Sequence, residues 1–338
     1  MKIIKFSQAA IGALFFSTTG FSAHAEEMVM SAWLPPQHPV MAKIMTPWAN
    51  TVEQVTEGRV TIRVLPKPLG PPPAHYDLAA DGVADITFGL HSFTKDDRFL
   101  RSRIGQFSFL GDKSETISTA FWDVYHDDLD AQGEHDGTKL LGLFVTGPGM
   151  FHNNKRKIET PEDFAGLKIR TPGGYIASLA DGLGITTQFM SPGQVFEKIS
   201  TGVIDGVTFP MEGVNAFKLA DHLTHSMRVP GGIYNTTWFV VMNADKWDGL
   251  SAEDQAAIEA VSGHALAAIA GVVWDNGDDA GYAYLEGTDV EIYDAPESVV
   301  ARIKEIADAE EKAWAEAVNE TGFDGAAAIA KLRSATGQ

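Results

Sequence analysis

Apolar positions along the chain follow two different periods, which predicts alternating helices and strands. Between residues 40 and 58, Ile44, Trp48 and Val52 recur every four positions, which favours one buried face of a helix. The next stretch, 59–65, has an apolar residue at every second position, as in a half-buried strand. Similar short apolar runs predict further strands at 28–33, 84–90, 139–145, 167–171, 206–209, 236–243 and 289–293.

Capping residues mark three helix starts, at Thr160-Pro161, Ser191-Pro192 and Ser251-Ala252. Three consecutive prolines at 71–73 predict a loop. The stretch from Ser251 to about Leu332 is expected to be mostly helical, and its Ala-rich helices are assigned no chemistry. Strands alternating with helices predict an α/β architecture with mostly parallel sheets.

The N-terminus has the three parts of a secretory signal peptide. Lys2 and Lys5 provide the positive start, residues 9–16 form a short apolar run, and Ala23-His24-Ala25 offers a cleavage site. We therefore expect a signal peptide over residues 1–25, cleavage after about Ala25, and a periplasmic protein.

Length, cysteine content and charge narrow the class of protein further. The length of 338 residues suggests about two domains. The absence of cysteine excludes disulfides, thiolate metal sites and cysteine nucleophiles. With 26 basic and 45 acidic residues, the formal net charge of −19 argues against nucleic acid and anionic membranes as partners.

The sequence lacks the common catalytic motifs, including G-x-G-x-x-G, the P-loop, G-x-S-x-G and H-E-x-x-H. The acidic run 275–279 resembles a calcium loop in composition only, and a polar helix face or turn is the better interpretation. No metal and no cofactor are predicted. These observations favour a binding protein over an enzyme, although a pair of carboxylates for hydrolysis stays open.

Three segments resemble the solute-binding proteins of tripartite ATP-independent periplasmic (TRAP) transporters, the DctP-like family. They are ETPEDFAGLKIRTP at 159–172, SPGQVF at 191–196 and GVIDG at 202–206. The resemblance implies a two-lobed periplasmic binding protein fold of the α/β class, with a ligand cleft between lobes joined by hinge strands and a long helix. It places lobe one at 26–149 plus about 240–280, and lobe two with the C-terminal helices at 150–239 plus about 281–338.

The resemblance also implies the partners. They are a small-molecule carboxylate ligand and the small and large TRAP membrane subunits, with no direct membrane insertion of this chain. It further implies that Arg170, at a strand end, binds the carboxylate of the ligand. An Arg side chain suits that role because its guanidinium forms two parallel hydrogen bonds with a carboxylate.

Three departures from the family pattern remove polar groups. Phe209 stands where relatives often have Asn, Gly149 aligns with a second Arg of many members, and Leu90 aligns with a pocket Glu of some. Unpaired polar groups of a ligand would cost about 1–3 kcal/mol each. We therefore expect one carboxylate on an apolar or aromatic body.

The remaining candidate ligand-binding residues are mostly aromatic, and each could instead serve core packing: Phe209, Trp238, Trp33, His91, Phe88, Tyr234 and Asn235. Three alternatives stay open at this point. The ligand could be a zwitterionic carboxylate such as ectoine or a sulfonium compound, since aromatic faces also hold cations. It could be a C4-dicarboxylate, or the protein could be a periplasmic hydrolase.

Overall fold

The computed structural model describes residues 25–94 and 97–338, so the predicted signal peptide, apart from Ala25, lies outside the described residues. Its strands are β1 Glu26–Ser31, β2 Val60–Val64, β3 Ile86–Leu90, β4 Thr138–Val145, β5 Met150–Asn153, β6 Lys168–Thr171, β7 Thr186–Phe189, β8 Gly206–Phe209, β9 His225–Arg228, β10 Thr237–Asn243 and β11 Glu291–Asp294.

Its α-helices are α1 Thr46–Val55, α2 His75–Ala80, α3 Ser114–Asp128, α4 Tyr175–Gly182, α5 Val195–Ser200, α6 Met211–Ala216, α7 Ala244–Asp248, α8 Ala252–Ala260, α9 Gly263–Leu285, α10 Glu297–Glu320 and α11 Gly325–Thr336. Short 3-10 helices and one π-helical segment, Val40–Met45, complete the structure.

The strands form two sheets, each with one strand antiparallel to its two neighbours. The first sheet has the order β2-β1-β3-β10-β4, in which β10 runs antiparallel to β3 and β4. The second has the order β11-β9-β5-β8-β6-β7, in which β5 runs antiparallel to β8 and β9. The remaining pairings are parallel, which confirms the α/β class with mostly parallel sheets.

The two sheets draw on different parts of the chain. The first uses strands up to Val145 and then β10, whereas the second uses β5 to β9 and β11. We propose that each sheet is the core of one lobe. The family resemblance placed all the C-terminal helices in lobe two. In the structure, helix α10 packs on α4 beside the second sheet, but α11 packs on α3 beside the first.

Helix α9 connects the two halves of the molecule. It packs against α3 and β4 on one side and against α6 on the other. By length and composition the helical stretch Ala252–Leu285 could cross a membrane. Here its Leu266, Ala270 and Trp274 are buried in the core, so we describe it as a helix of the folded protein.

Proline chemistry modifies two of the expected elements. The predicted helix at 40–58 begins as the π-helical segment and becomes regular only around Pro47, whose missing N–H removes one helical hydrogen bond. The prolines expected to form a loop instead start the 3-10 helix Pro72–Ala74, which leads directly into α2. Proline is well tolerated there because the backbone N–H groups of the first helical turn have no acceptor within the helix, so the missing N–H of proline costs no hydrogen bond.

Candidate ligand-binding site

A narrow cavity lies between the two sheets. Strand ends of the second sheet supply one side, and the segments after β1 and β3 supply the other. The chain leading into β10 and one residue of α9 complete the wall. The lining residues are Trp33, Leu34, His38, Leu90, Thr146, Arg170, Pro172, Pro192, Phe209, Pro210, Glu212, Phe217, Tyr234, Thr236, Trp238 and Trp274.

Arg170 is the cationic group of this cavity. It lies in β6 and is 1% exposed. Its Nε donates to the carbonyl of Met190 at 3.0 Å, and its Nη1 donates to the carbonyl of Thr208 at 3.3 Å. Nη2 is buried and has no hydrogen-bond partner. The protein thus engages two of the three guanidinium nitrogens and leaves Nη2 for something else to satisfy.

Burial lowers the pKa of Arg170 to about 10, because the charged form loses its hydration. The side chain therefore stays positively charged at neutral pH. Few solvent molecules compete for it, so an anion placed in this cavity would form stronger hydrogen bonds than at the surface.

Aromatic rings extend away from Arg170. The ring of Phe209 lies under the guanidinium, with its centroid 4.4 Å from Cζ. Phe217 stacks on Phe209 at 5.5 Å with an interplanar angle of 16°. The buried ring of Tyr234 also lines the cavity near Arg170, whose charge opposes the rise of the tyrosine pKa caused by burial.

Three tryptophans form the opposite wall. Trp33 and Trp238 stack with centroids 5.7 Å apart and an interplanar angle of 6°. Trp274 of α9 packs beside Trp238, with centroids 5.9 Å apart. Trp33 donates its indole N–H to the carbonyl of Phe88, whereas the indole N–H groups of Trp238 and Trp274 are buried without a partner.

The structure brings five of the sequence-predicted residues together around this cavity: Arg170, Phe209, Trp238, Trp33 and Tyr234. Phe88 lies behind the wall and is fully buried, with its ring against Trp33 and Trp238. Asn235 is absent from the lining, and its amide donates to the carbonyl of Thr146.

His91 also lies outside the lining. Its Nδ1 is 3.0 Å from Thr237 Oγ1 and its Nε2 is 3.0 Å from His135 Nε2. Both ring nitrogens are therefore occupied within the protein, and its position favours a structural role over the hydrogen bond to a ligand that the sequence suggested. It lies one residue past Leu90, which does line the cavity.

Eleven of the sixteen lining residues were not predicted as site residues, among them Trp274, His38 and Glu212. Trp274 comes from an Ala-rich helix to which the sequence assigned no chemistry, and the structure places its ring in the cavity wall. His38 belongs to the segment after β1, and Glu212 is the second residue of α6, two residues after Pro210. No local pattern distinguishes these two residues from ordinary loop and helix-start residues.

Gly149, which aligns with a second arginine of many relatives, leaves no space for a larger side chain at this position. A Cβ built on Gly149 would lie 1.9 Å from Cε1 of Tyr234. Any larger side chain would collide with that ring, which is itself part of the wall. The ring of Tyr234 thus fills the space that an arginine side chain at position 149 would need.

Among residues 25–94 and 97–338, no group of three or more His, Asp or Glu side chains could hold a metal ion. The acidic run 275–279 is part of α9, in line with the polar helix face expected for it. Asp275 accepts from the backbone N–H of Ser114, and Asp278 accepts from that of Glu212.

The fold and the cavity define a two-lobed solute-binding protein. The chain matches the model of DctP, "bacterial extracellular solute-binding protein, family 7", over residues 30–320, and it belongs to that family. It is therefore a TRAP solute-binding protein, as the segments at 159–206 suggested.

Solved structures of similar proteins cover nearly the whole chain. A TRAP periplasmic solute-binding protein from Bordetella bronchiseptica, with bound (R)- and (S)-mandelate, is 37% identical with a TM-score of 0.89, covering 93% of this chain and 99% of that one. One from Rhodoferax ferrireducens, in complex with copurified benzoate, is 28% identical with a TM-score of 0.84, covering 93% and 98%. A curated relative, the "outer membrane transporter protein TsaT" of Comamonas testosteroni, is 28% identical over 72% of each chain.

Proposed function

We propose that this protein binds a small aromatic monocarboxylate between its two sheets and delivers it to a TRAP membrane permease in the periplasm. The observation that carries the proposal is the unpaired Nη2 of Arg170. A buried, charged donor without a partner costs free energy, and a carboxylate would satisfy it. The guanidinium also lines a cavity whose other walls are mainly rings.

A single carboxylate suits this cavity better than two. Among the described residues that line it, Arg170 is the one Arg or Lys. Burial lowers the pKa of His38 to about 4, so that this imidazole is neutral at neutral pH. A second carboxylate of a C4-dicarboxylate would therefore be buried without a cation, which is strongly unfavourable.

An aromatic body fits the remaining wall. Phe209, Trp33 and Trp238 offer ring faces and edges to a flat apolar ligand. Aromatic pairs gain about 0.5–1.5 kcal/mol beyond the burial of their area. The mandelate and benzoate carried by the two similar proteins support an aromatic acid as the ligand of this one.

A zwitterionic carboxylate is the second candidate, because the faces of Trp33 and Trp238 could also hold a cation. Both candidates use Arg170 for the carboxylate and differ only in what the rings contact. Neither involves a chemical reaction, so we propose binding and release without catalysis.

Calorimetry and thermal unfolding of the purified protein test the proposal with benzoate, mandelate, succinate and ectoine. We expect the aromatic acids to bind, and saturation at 100 times Kd to add about 2.7 kcal/mol to the free energy of unfolding. The compounds should be recovered unchanged after long incubation. Preferential binding of succinate would contradict the proposal, as would turnover of any compound.

Delivery has its own test. Uptake of the bound acid into vesicles should require this protein together with both the small and the large membrane subunits. Uptake at the same rate without this protein would contradict the proposed role. Export is checked by mass: cleavage after Ala25 leaves a chain that begins at Glu26.

A further inference from the structure

His38 and Glu212 form a second polar feature in the cavity. His38 lies in the segment after β1 of the first sheet, and Glu212 lies at the start of α6, after β8 of the second. Both are buried, at 7% and 4% exposed. His38 Nε2 lies 3.6 Å from Glu212 Oε1, which is too long for a good hydrogen bond, and Oε1 has no other partner.

The tautomer of His38 is fixed by its own backbone. The N–H of Val40 donates to Nδ1 of His38 at 3.2 Å, so Nδ1 must carry a lone pair. The imidazole is neutral because burial lowers its pKa, and its single proton is therefore on Nε2, toward Glu212. The pair thus offers a donor from one side of the cavity and an acceptor from the other.

A run of rings separates this pair from Arg170. Phe209 lies under the guanidinium, Phe217 stacks on Phe209, and the imidazole of His38 is 5.9 Å from the ring of Phe217. A ligand whose carboxylate binds Arg170 would therefore extend past these rings toward the pair. A substituent at the far end of the ligand would contact His38 and Glu212.

We propose that the His38–Glu212 pair binds a hydroxyl group on the ligand, so that the preferred solutes are hydroxylated aromatic carboxylates. This inference rests on the proposed function. A hydroxyl accepts from His38 Nε2–H and donates to Glu212 Oε1 at the same time. An ether or a ketone cannot donate to Oε1, and an ammonium group cannot accept from His38.

The protonation state of Glu212 also favours a neutral hydroxyl over an ammonium group on the ligand. Burial, together with the nearby charge of Asp278, raises the pKa of Glu212 to about 8. Its carboxyl group is then mostly uncharged at neutral pH and gives an ammonium group little to pair with. A hydroxyl is satisfied with either form, because a neutral carboxyl group keeps one unprotonated oxygen to which the hydroxyl donates.

The experiment measures the affinity of the protein for matched acids: benzoate, 3- and 4-hydroxybenzoate, their methoxy analogues and 4-(aminomethyl)benzoate. We expect at least one hydroxybenzoate to bind wild type about 10-fold or more tighter than benzoate and than its methoxy analogue. Equal affinities in wild type would overturn the inference, and so would tighter binding of the ammonium compound.

Variants assign the effect to Glu212. Glu212→Leu should lose the preference for the hydroxyl, so that it binds a hydroxybenzoate and benzoate with similar affinities, and its circular dichroism spectrum shows that it is folded. Glu212→Gln keeps an acceptor oxygen and should keep most of the preference. Glu197→Gln removes an exposed carboxylate on α5 and should change nothing. An undiminished preference in Glu212→Leu would overturn the assignment.

The outcomes separate this inference from the proposed function. If benzoate binds and the hydroxyl adds nothing, the proposed function stands and the inference fails. If no aromatic carboxylate binds wild type, the proposed function fails and the inference fails with it.

Discussion

The guanidinium of Arg170 lies over the ring of Phe209, with Cζ 4.4 Å from the ring centroid. The two residues belong to neighbouring strands, since β6 pairs with β8. The ring covers one face of the cation and keeps water from it. The free donor of the cation then faces a cavity in which an anion has few competitors.

Replacing Phe209 should therefore weaken the binding of aromatic acids more than the binding of aliphatic acids. Phe209→Asn removes the ring that stacks on Phe217 and puts an amide in the cavity wall. We expect about 10- to 100-fold weaker binding of benzoate, from a loss of roughly 1.5–3 kcal/mol of buried aromatic contact. Calorimetry with benzoate and with an aliphatic monocarboxylate measures the difference.

The control for that variant is Phe196→Leu, because Phe196 is 48% exposed on α5 and lies outside the cavity lining. It should leave both affinities unchanged. An unaltered affinity of Phe209→Asn for benzoate would show that the ring does not contact the ligand.

Gly149 offers a test of packing behind the cavity. Gly149→Ala forces a Cβ into the ring of Tyr234, and overpacking of this kind typically costs about 1–3 kcal/mol. Denaturant unfolding of the ligand-free protein should show that loss. Gly193→Ala is the matched control, because a Cβ there meets nothing within 4 Å. Equal stability of the two variants would contradict the description of this wall.

Ligand-free stability should fall below neutral pH because buried histidines are kept uncharged. Burial lowers the folded-state pKa of His38, His135 and His152 from 6.5 to about 4. Between those values the unfolded chain binds more protons than the folded protein, so acid favours unfolding. Urea unfolding of wild type and of His152→Gln across this range measures the contribution: the variant has no imidazole to charge and should lose less stability on acidification, and parallel profiles of the two proteins would contradict the buried neutral state.

Above neutral pH, two buried carboxyl groups make the folding stability fall as the pH rises. Burial raises the folded-state pKa of Glu212 from 4.5 to about 8 and that of Asp278 from 3.8 to about 7. The folded protein then holds protons that the unfolded chain has released, so stability falls as pH rises toward 8. This loss should be visible above about pH 6.5, where the histidines no longer oppose it.

Glu212→Gln isolates this effect. The variant has no carboxyl to deprotonate, so its stability relative to wild type should increase by roughly 1–2 kcal/mol between pH 6.5 and pH 8. Urea unfolding at the two pH values measures it. Parallel pH profiles of the two proteins would contradict a protonated, buried Glu212.

Much of the fold could be predicted from periodicity. The strand predicted at 206–209 matches β8, and the one predicted at 59–65 contains β2. β5 and β9 are among the strands that gave no such signal. β5, Met150–Asn153, is buried throughout and too short to show alternation, and β9, His225–Arg228, is largely polar. Their positions are set by pairing with neighbours far along the chain.

The site was predictable where one residue and its local segment carry the signal. Arg170 was identified from a strand end within a family pattern, and Phe209 from a departure from that pattern. Trp274 follows the apolar periodicity of a helix, which does not distinguish a cavity wall from a core. The contact of His38 with Glu212 exists only after the two sheets come together, so no local pattern could reveal it.

The most direct test of the central claim is the affinity of Arg170 variants for benzoate. Arg170→Ala removes two charge-assisted hydrogen bonds worth about 1.5–3 kcal/mol each and should weaken binding by at least about 100-fold. Arg170→Lys keeps the charge without the paired donors and should recover only part of the loss. Arg302→Ala, which removes a cation of α10 outside the cavity lining, should bind like wild type. If Arg170→Ala is folded and binds benzoate as tightly as wild type, the guanidinium does not hold the carboxylate.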